Sequence, residues 1–142
     1  MIIDAENLIM GRMASFAAKK LMEGEEVIII NAEKAVITGK KEYIFRRYKQ
    51  RIDRADLANP RKGPQFPRTP EGIVKRAVRG MVPFRKHKGR EALKKLRVFR
   101  GAPEKYKKGE DVPCDNILER TSSYVKVGDI SRFLGYEYEV VR

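Results

Sequence analysis

A few groups of residues in this 142-residue chain could do chemistry, and each can be weighed on spacing alone. Thr38-Gly39-Lys40-Lys41 follows the apolar run Ala35-Val36-Ile37, and glycine and lysine at a helix start can hold a phosphate through backbone amides and charge. The glycine spacing of a phosphate loop ending in Gly-Lys-Ser/Thr is absent, as is a Gly-x-Gly-x-x-Gly fingerprint. A mononucleotide site is therefore not expected, while contact of Thr38, Lys40 or Lys41 with polyanion phosphate stays open. Ser15, Ser122, Ser123 and Ser131 stand in no nucleophile-elbow context, and the single imidazole, His87, sits among Arg85, Lys86 and Lys88, where it reads as solvated or as a phosphate neighbour. The pairs Glu25-Glu26 and Glu110-Asp111 flank elements and read as helix-end or turn residues rather than a general acid and base. Cys114 is the only cysteine, so neither an internal disulfide nor a Cys/His zinc site can be built from this chain, and metal chemistry would rest on carboxylates alone. The expectation is a protein without catalysis, cofactor or small-molecule substrate.

What remains is charge. The formal net charge is +13, and it is segregated. Lys+Arg minus Asp+Glu is 4 − 6 = −2 over residues 1–37, 24 − 6 = +18 over 38–108 and 4 − 7 = −3 over 109–142. A block of that density repels itself and is readily explained if a polyanion neutralises it. Nucleic acid is the first candidate, an anionic membrane surface the second, and a merely solvated face the bland alternative. No RNP aromatic pattern, KH-type clamp or heptad-linked basic helix is present, so recognition of folded RNA by shape and phosphate is the natural reading. Nothing approaches the ~20 apolar residues of a membrane span, and Met1-Ile2-Ile3-Asp4 is too short and acidic to open a secretory signal, so a cytoplasmic protein is expected.

The elements that must position these cations can be read from periodicity. Ile2-Ile3 is a short apolar run, and over 11–22 Met13, Phe16, Ala17 and Leu21 recur at helical spacing, with Gly24 as a stop. Val27-Ile28-Ile29-Ile30 reads as a strand covered on both faces, so the start of the chain predicts a strand-helix-strand unit with parallel strands. Ala35-Val36-Ile37 is a further short apolar element. Thr38 is then the expected N-cap of a helix running to about Ile52, with Ile44, Tyr48 and Ile52 on the packed stripe and Arg46, Arg47, Lys49, Arg51 and Arg54 off it. Tyr43 and Tyr48 are read as packing residues in preference to base-stacking ones. Residues 57–69, with Pro60, Gly63, Pro64 and Pro67 among Arg61, Lys62 and Arg68, form a loop. Thr69-Pro70-Glu71 opens a second basic helix, in which Ile73, Val74, Ala77, Val78 and Met81 keep the apolar stripe, Lys75, Arg76 and Arg79 are offset, and Pro83 is the stop. Residues 84–89 read as a linker, a helix from Arg90 carries Lys94, Lys95 and Arg97, and Val98-Phe99 is the expected last strand of the core. Beyond it an extended arm, a short helix over 130–134 and a strand-like end over 136–141 are expected.

The order of these motifs resembles a known family. Asp4-Ala5 with Gly11-Arg12 and Ala14-Ser15, then Asn31-Ala32-Glu33-Lys34 before Val36-Ile37-Thr38-Gly39, then Arg76-Ala77-Val78-Arg79-Gly80-Met81-Val82-Pro83, are similar to the large-subunit ribosomal protein of the L-thirteen family. Gly89-Arg90, Ala92-Leu93, Leu96-Arg97-Val98-Phe99 and Gly101 continue the match. Asn59-Pro60, Gly63-Pro64, the stretch over 103–108 and Leu134-Gly135-Tyr136 resemble its archaeal and eukaryotic form. The resemblance implies a three-layer α/β/α fold with a central, mostly parallel sheet of about four strands. It also implies binding to large-subunit ribosomal RNA, a part in early subunit assembly, neighbouring ribosomal proteins rather than a second copy of itself as partners, and no catalysis. The expected division is a core over 1–101, carrying the basic helices and loops, and an arm over 102–142. Together the readings make Thr38, Lys40, Lys41, Arg46, Arg47, Lys49, Arg51, Arg61, Lys62, Arg68, Lys75, Arg76, Arg79, Arg85, Lys86, His87, Lys88, Arg90, Lys94, Lys95, Arg97 and Arg100 the expected RNA contacts.

Overall fold

The apolar opening of the chain folds as its pattern demands. Ile2–Asp4 (β1), Met10–Glu23 (α1) and Val27–Ile30 (β2) form the strand-helix-strand unit, with β1 and β2 parallel and Ile3 opposite Ile29. The coordinates are a computed structural model that describes residues 1–54, 56–106 and 123–137. Helix α1 buries Met13, Ala14, Ala17, Ala18 and Leu21, the stripe set by a 3.6-residue repeat. It ends where glycine alone is comfortable. Gly24 has φ +100°, and the amides of Gly24 and Glu25 donate to the Leu21 and Lys20 carbonyls at 3.1 and 3.2 Å, which satisfies carbonyls the helix would otherwise leave open.

The chain is α/β, with a mostly parallel arrangement, but the strands are divided differently from the expectation of about four in one sheet. Leu96–Val98 (β4) pairs parallel with β2 to give a three-stranded sheet in the order β1-β2-β4. Val36–Thr38 (β3) instead pairs antiparallel with Tyr124–Lys126 (β5), a strand without any signal in the sequence pattern. Nor is β2 fully covered on both faces: Val27, Ile29 and Ile30 are buried, whereas Ile28, beside Ile2 and Arg97 in the register, is half-exposed.

Thr38 is not an N-cap. It is the last residue of β3, opposite Tyr124, and Gly39 at φ +129° turns the chain while exchanging hydrogen bonds with Ser123. The helix that follows, Lys41–Asp53 (α2), starts after Lys40 without a side-chain cap. Pro70–Met81 (α3) starts as its sequence dictates: the Thr69 hydroxyl accepts from the Gly72 amide at 3.2 Å with Pro70 in the first turn. His87–Lys94 (α4) begins earlier than expected, inside the residues read as a linker. Gly89 makes that possible, because a Cβ there would lie 2.1 Å from the Pro83 carbonyl oxygen.

The core joins Ile3, Met13, Leu21, Ile29, Val74 and Val78 with Val125, Val127 and Ile130. Helix α1 packs on α3 and α4, and Val127–Phe133 (α5) packs on α3 and against the turn over Ala32–Lys34. Of the expected C-terminal features, the short helix is present but begins at Val127 and its residues join the core. Tyr136 is in no strand; residues 138–141 of the expected strand-like end, and 107–122 of the expected arm, lie outside the described residues.

Candidate nucleic-acid interface

Each basic helix is held by an apolar stripe and presents its cations on the other side. In α2, Ile44 is buried and Phe45, Tyr48 and Ile52 half-buried, while Arg46, Arg47, Lys49 and, just past its end, Arg54 are exposed. In α3, Ile73, Val74 and Val78 are buried, while Lys75, Arg76 and Arg79 are exposed. The turn between α3 and α4 and the outer side of α4 add Arg85, Lys86, His87, Lys88, Arg90 and Lys94. All the expected contact residues are exposed except Arg51 and Arg100, which are half-buried.

Exposure alone would fit a solvated surface, so what the cations touch matters more. Among the described residues, only two of the expected contact residues lie within ion-pairing distance of a carboxylate: Arg100, whose Nε is 3.3 Å from Glu71 Oε1, and the exposed His87, 3.4 Å from Glu91. Several others lie over aromatic rings. The Arg76 guanidinium is 4.1 Å from the Phe66 centroid, Arg79 is 4.4 Å from Phe84, Arg51 is 5.3 Å from Tyr48, and the Lys41 ammonium is 5.5 Å from Phe45. A ring holds a cation by its quadrupole and by packing, yet leaves the charge unneutralised and donors free for an incoming acceptor. Burial pushes the Tyr48 hydroxyl above its ordinary pKa of 10.0, against the opposing pull of Arg51 and Arg47.

The expected contacts fall into distinct groups. Arg47, Arg51 and Arg76 meet across the cleft between α2 and α3. Arg61 and Lys62 project from the proline-rich loop, which Asp56 orders by accepting from the amides of Ala58 and Asn59 and Asn59 orders by accepting from Lys62. Arg68 is exposed, and its carbonyl accepts from the Ser131 hydroxyl. Arg76 also donates to the Gln65 carbonyl at 2.9 Å, tying this loop to α3. Thr38, Lys40 and Lys41 are exposed around the start of α2. Others serve the fold or lie elsewhere: Lys95 donates to the Gly24 carbonyl at 2.7 Å, Arg97 lies on the open face of the sheet, and Arg100 donates to Tyr136 as well as pairing with Glu71.

Two points were not legible in advance. Tyr43, read as a packing residue, is 64% exposed, whereas Tyr48 on the next turn does pack. Phe66 drew no attention in the sequence, although an aromatic residue between Arg61 and Arg68 was the available signal. The residues of the Asn31-Ala32-Glu33 motif build scaffold rather than interface. Asn31 donates to Asp4 at 2.9 Å, and the buried Glu33 carboxylate accepts from the Gly101 amide at 3.1 Å, locking the end of the core.

Comparison with known sequences decides among the readings this surface permits. The description "Ribosomal protein L13" belongs to a family profile that matches residues 1–105. The chain belongs to this family. A large ribosomal subunit protein uL13 of Archaeoglobus fulgidus is 46% identical over 140 residues, covering 95% of this chain and 87% of that protein. Those of Methanosphaera stadtmanae and Methanococcus maripaludis are 45% and 44% identical over 139 residues, each covering 96% of this chain and 98% of their own length. Membership makes the chain a ribosomal protein, of a structural family rather than an enzyme family.

Proposed function

We propose that this protein is a structural constituent of the large ribosomal subunit in the cytoplasm, that it binds large-subunit ribosomal RNA through phosphate contacts, and that it acts early in subunit assembly. The observation that carries the RNA reading is the array on α2, α3, α4 and the loop before α3: exposed guanidinium and ammonium groups, nearly all without a carboxylate, within a block of net charge +18. Arginine forks bridge phosphate oxygens in pairs and lysines add point charge, so such an array fits the shape of folded RNA without a base code. The expected contacts are the residues named above, from Thr38 to Arg100. Among them Arg100 contributes least, because it is half-buried and already paired with Glu71. Neighbouring ribosomal proteins are the other partners.

The test is the salt dependence of binding to fragments of large-subunit ribosomal RNA. Affinity falls linearly on a log–log plot, by roughly 0.7 to 0.9 of a slope unit for each phosphate neutralised. A flat response would sink the proposal. Native lysate run through a high-salt sucrose gradient separates an integral subunit protein, which stays with the large subunit, from a peripheral one, which is released to the top.

A further inference from the structure

Between α2 and α3 lies a cleft of about 710 Å³ whose lining is unlike the rest of the basic surface. Its floor is apolar, with Ile44 and Ile73 at the base. Its mouth carries two side chains that a closed core would have covered, Tyr43 at 64% and Met81 at 48% exposed. Its charged lining residues are Arg47, Arg51, Arg54 and Arg76, and among the described residues no carboxylate lines it. A second hollow of about 480 Å³ adjoins it, sharing Tyr43, Arg47, Arg51 and Arg54 and adding Arg46.

We propose that this cleft receives one unpaired, unstacked nucleotide of the RNA, its base against Tyr43 and the apolar floor and its flanking phosphates on the arginines. The inference rests on the RNA-binding reading and deepens it. The volume lies in the range of pockets that enclose a small ligand. An exposed phenol, and guanidinium groups that lie over rings, Arg76 over Phe66 and Arg51 over Tyr48, offer planar groups of the kind on which extruded bases stack. The four positive charges match a ligand that is apolar on its faces and anionic along its backbone. An acidic peptide would satisfy the arginines, but it has no flat face for Tyr43. The cleft also opens between the two helices that carry the basic stripes, so a strand laid across them passes its mouth.

The experiment uses the full chain and two RNA hairpins that are identical except that one carries a single bulged 2-aminopurine. The bulged hairpin is expected to bind about tenfold more tightly, within the range set by base–aromatic stacking, with the fluorescence of the base falling on binding. Tyr43→Ala removes both the preference and the fluorescence change while the paired hairpin still binds; Tyr43→Trp keeps both. Gly80→Leu tests the cleft independently. Gly80 lines it, and a Cβ there meets nothing within 4 Å, so the larger side chain fills space without disturbing the helix and should abolish the preference. Equal affinity for both hairpins with unchanged fluorescence overturns the inference and leaves phosphate binding intact. Failure to bind either hairpin removes the RNA reading itself. Saturable binding of an amphipathic glutamate–leucine peptide, lost in Tyr43→Ala and without selection of the bulge, would assign the cleft to a protein segment instead.

Discussion

On α1 the Lys20 ammonium lies 3.0 Å from the carboxylates of both Glu23 and Glu25, and their hydrogen bonds, Glu23 first, raise its pKa above 10.5. Elsewhere in the same opening segment, Lys34 lies 3.1 Å from Glu6. On α2 and α3 the same kind of amphipathic helix is built, but its cations rest over Tyr48 and Phe66, beside rings rather than acids. The opening unit therefore supplies much of its own countercharge, whereas the basic helices leave theirs to be supplied from outside. That contrast, rather than the total charge, separates the scaffold from the proposed interface, because an ion pair closed within the fold has little left to offer a phosphate.

Substitutions on the two sides of this divide should therefore fail in different ways. Leu21 is 1% exposed on the packed face of α1. Leu21→Ala is expected to cost about 3 kcal/mol in chemical denaturation, while the fraction that remains folded binds RNA with unchanged affinity. If that folded fraction lost affinity as well, the two regions would not be separable. The double reversal Arg79→Glu with Arg85→Glu should leave far-ultraviolet circular dichroism intact yet weaken RNA binding roughly a hundredfold, as expected for two charge-assisted contacts. Loss of helical signal instead would make those arginines structural.

Thr69→Ala sharpens the comparison from the other direction. Removing the hydroxyl that accepts from Gly72 should lower stability by about 1 kcal/mol without altering the salt slope, since the cap orders α3 but carries no charge. The smallest effect concerns Tyr48. Its folded-state pKa is raised above 10.0 by burial, so its contribution to stability is complete below pH 10.0 and is lost as pH climbs through the raised value. Tyr48→Phe should accordingly resist alkaline unfolding slightly better than the parent chain above pH 10.0, with no difference at neutral pH; identical alkaline transitions would place the hydroxyl in water.

Much of this could be read from residue order because the interactions involved are local. The Thr69-Pro70-Glu71 start, the Gly24 stop, the βαβ opening and the offset of arginines from apolar stripes all depend on neighbours within one or two turns, and the ordered motifs announced the family. Elsewhere the local signal pointed the wrong way. Thr38 has a capping side chain, but its backbone is taken by Tyr124 from far along the chain, so the strand extends to it and the helix begins at Lys41 uncapped. Gly89 reads as a break by intrinsic propensity, yet it lies within a helix because only a residue without Cβ fits against the Pro83 carbonyl.

The sequence by itself determined where the charge lies, which residues of each helix face inward, and the family, since composition and short-range periodicity carry that information without coordinates. Only the tertiary structure decided that β3 finds its partner in β5, that Arg100 is committed within the fold, and that Tyr43, Phe66 and four arginines meet around one cleft. Those outcomes depend on contacts between residues distant in the chain, which the packing of the α1–α3 core brings together and no local pattern encodes.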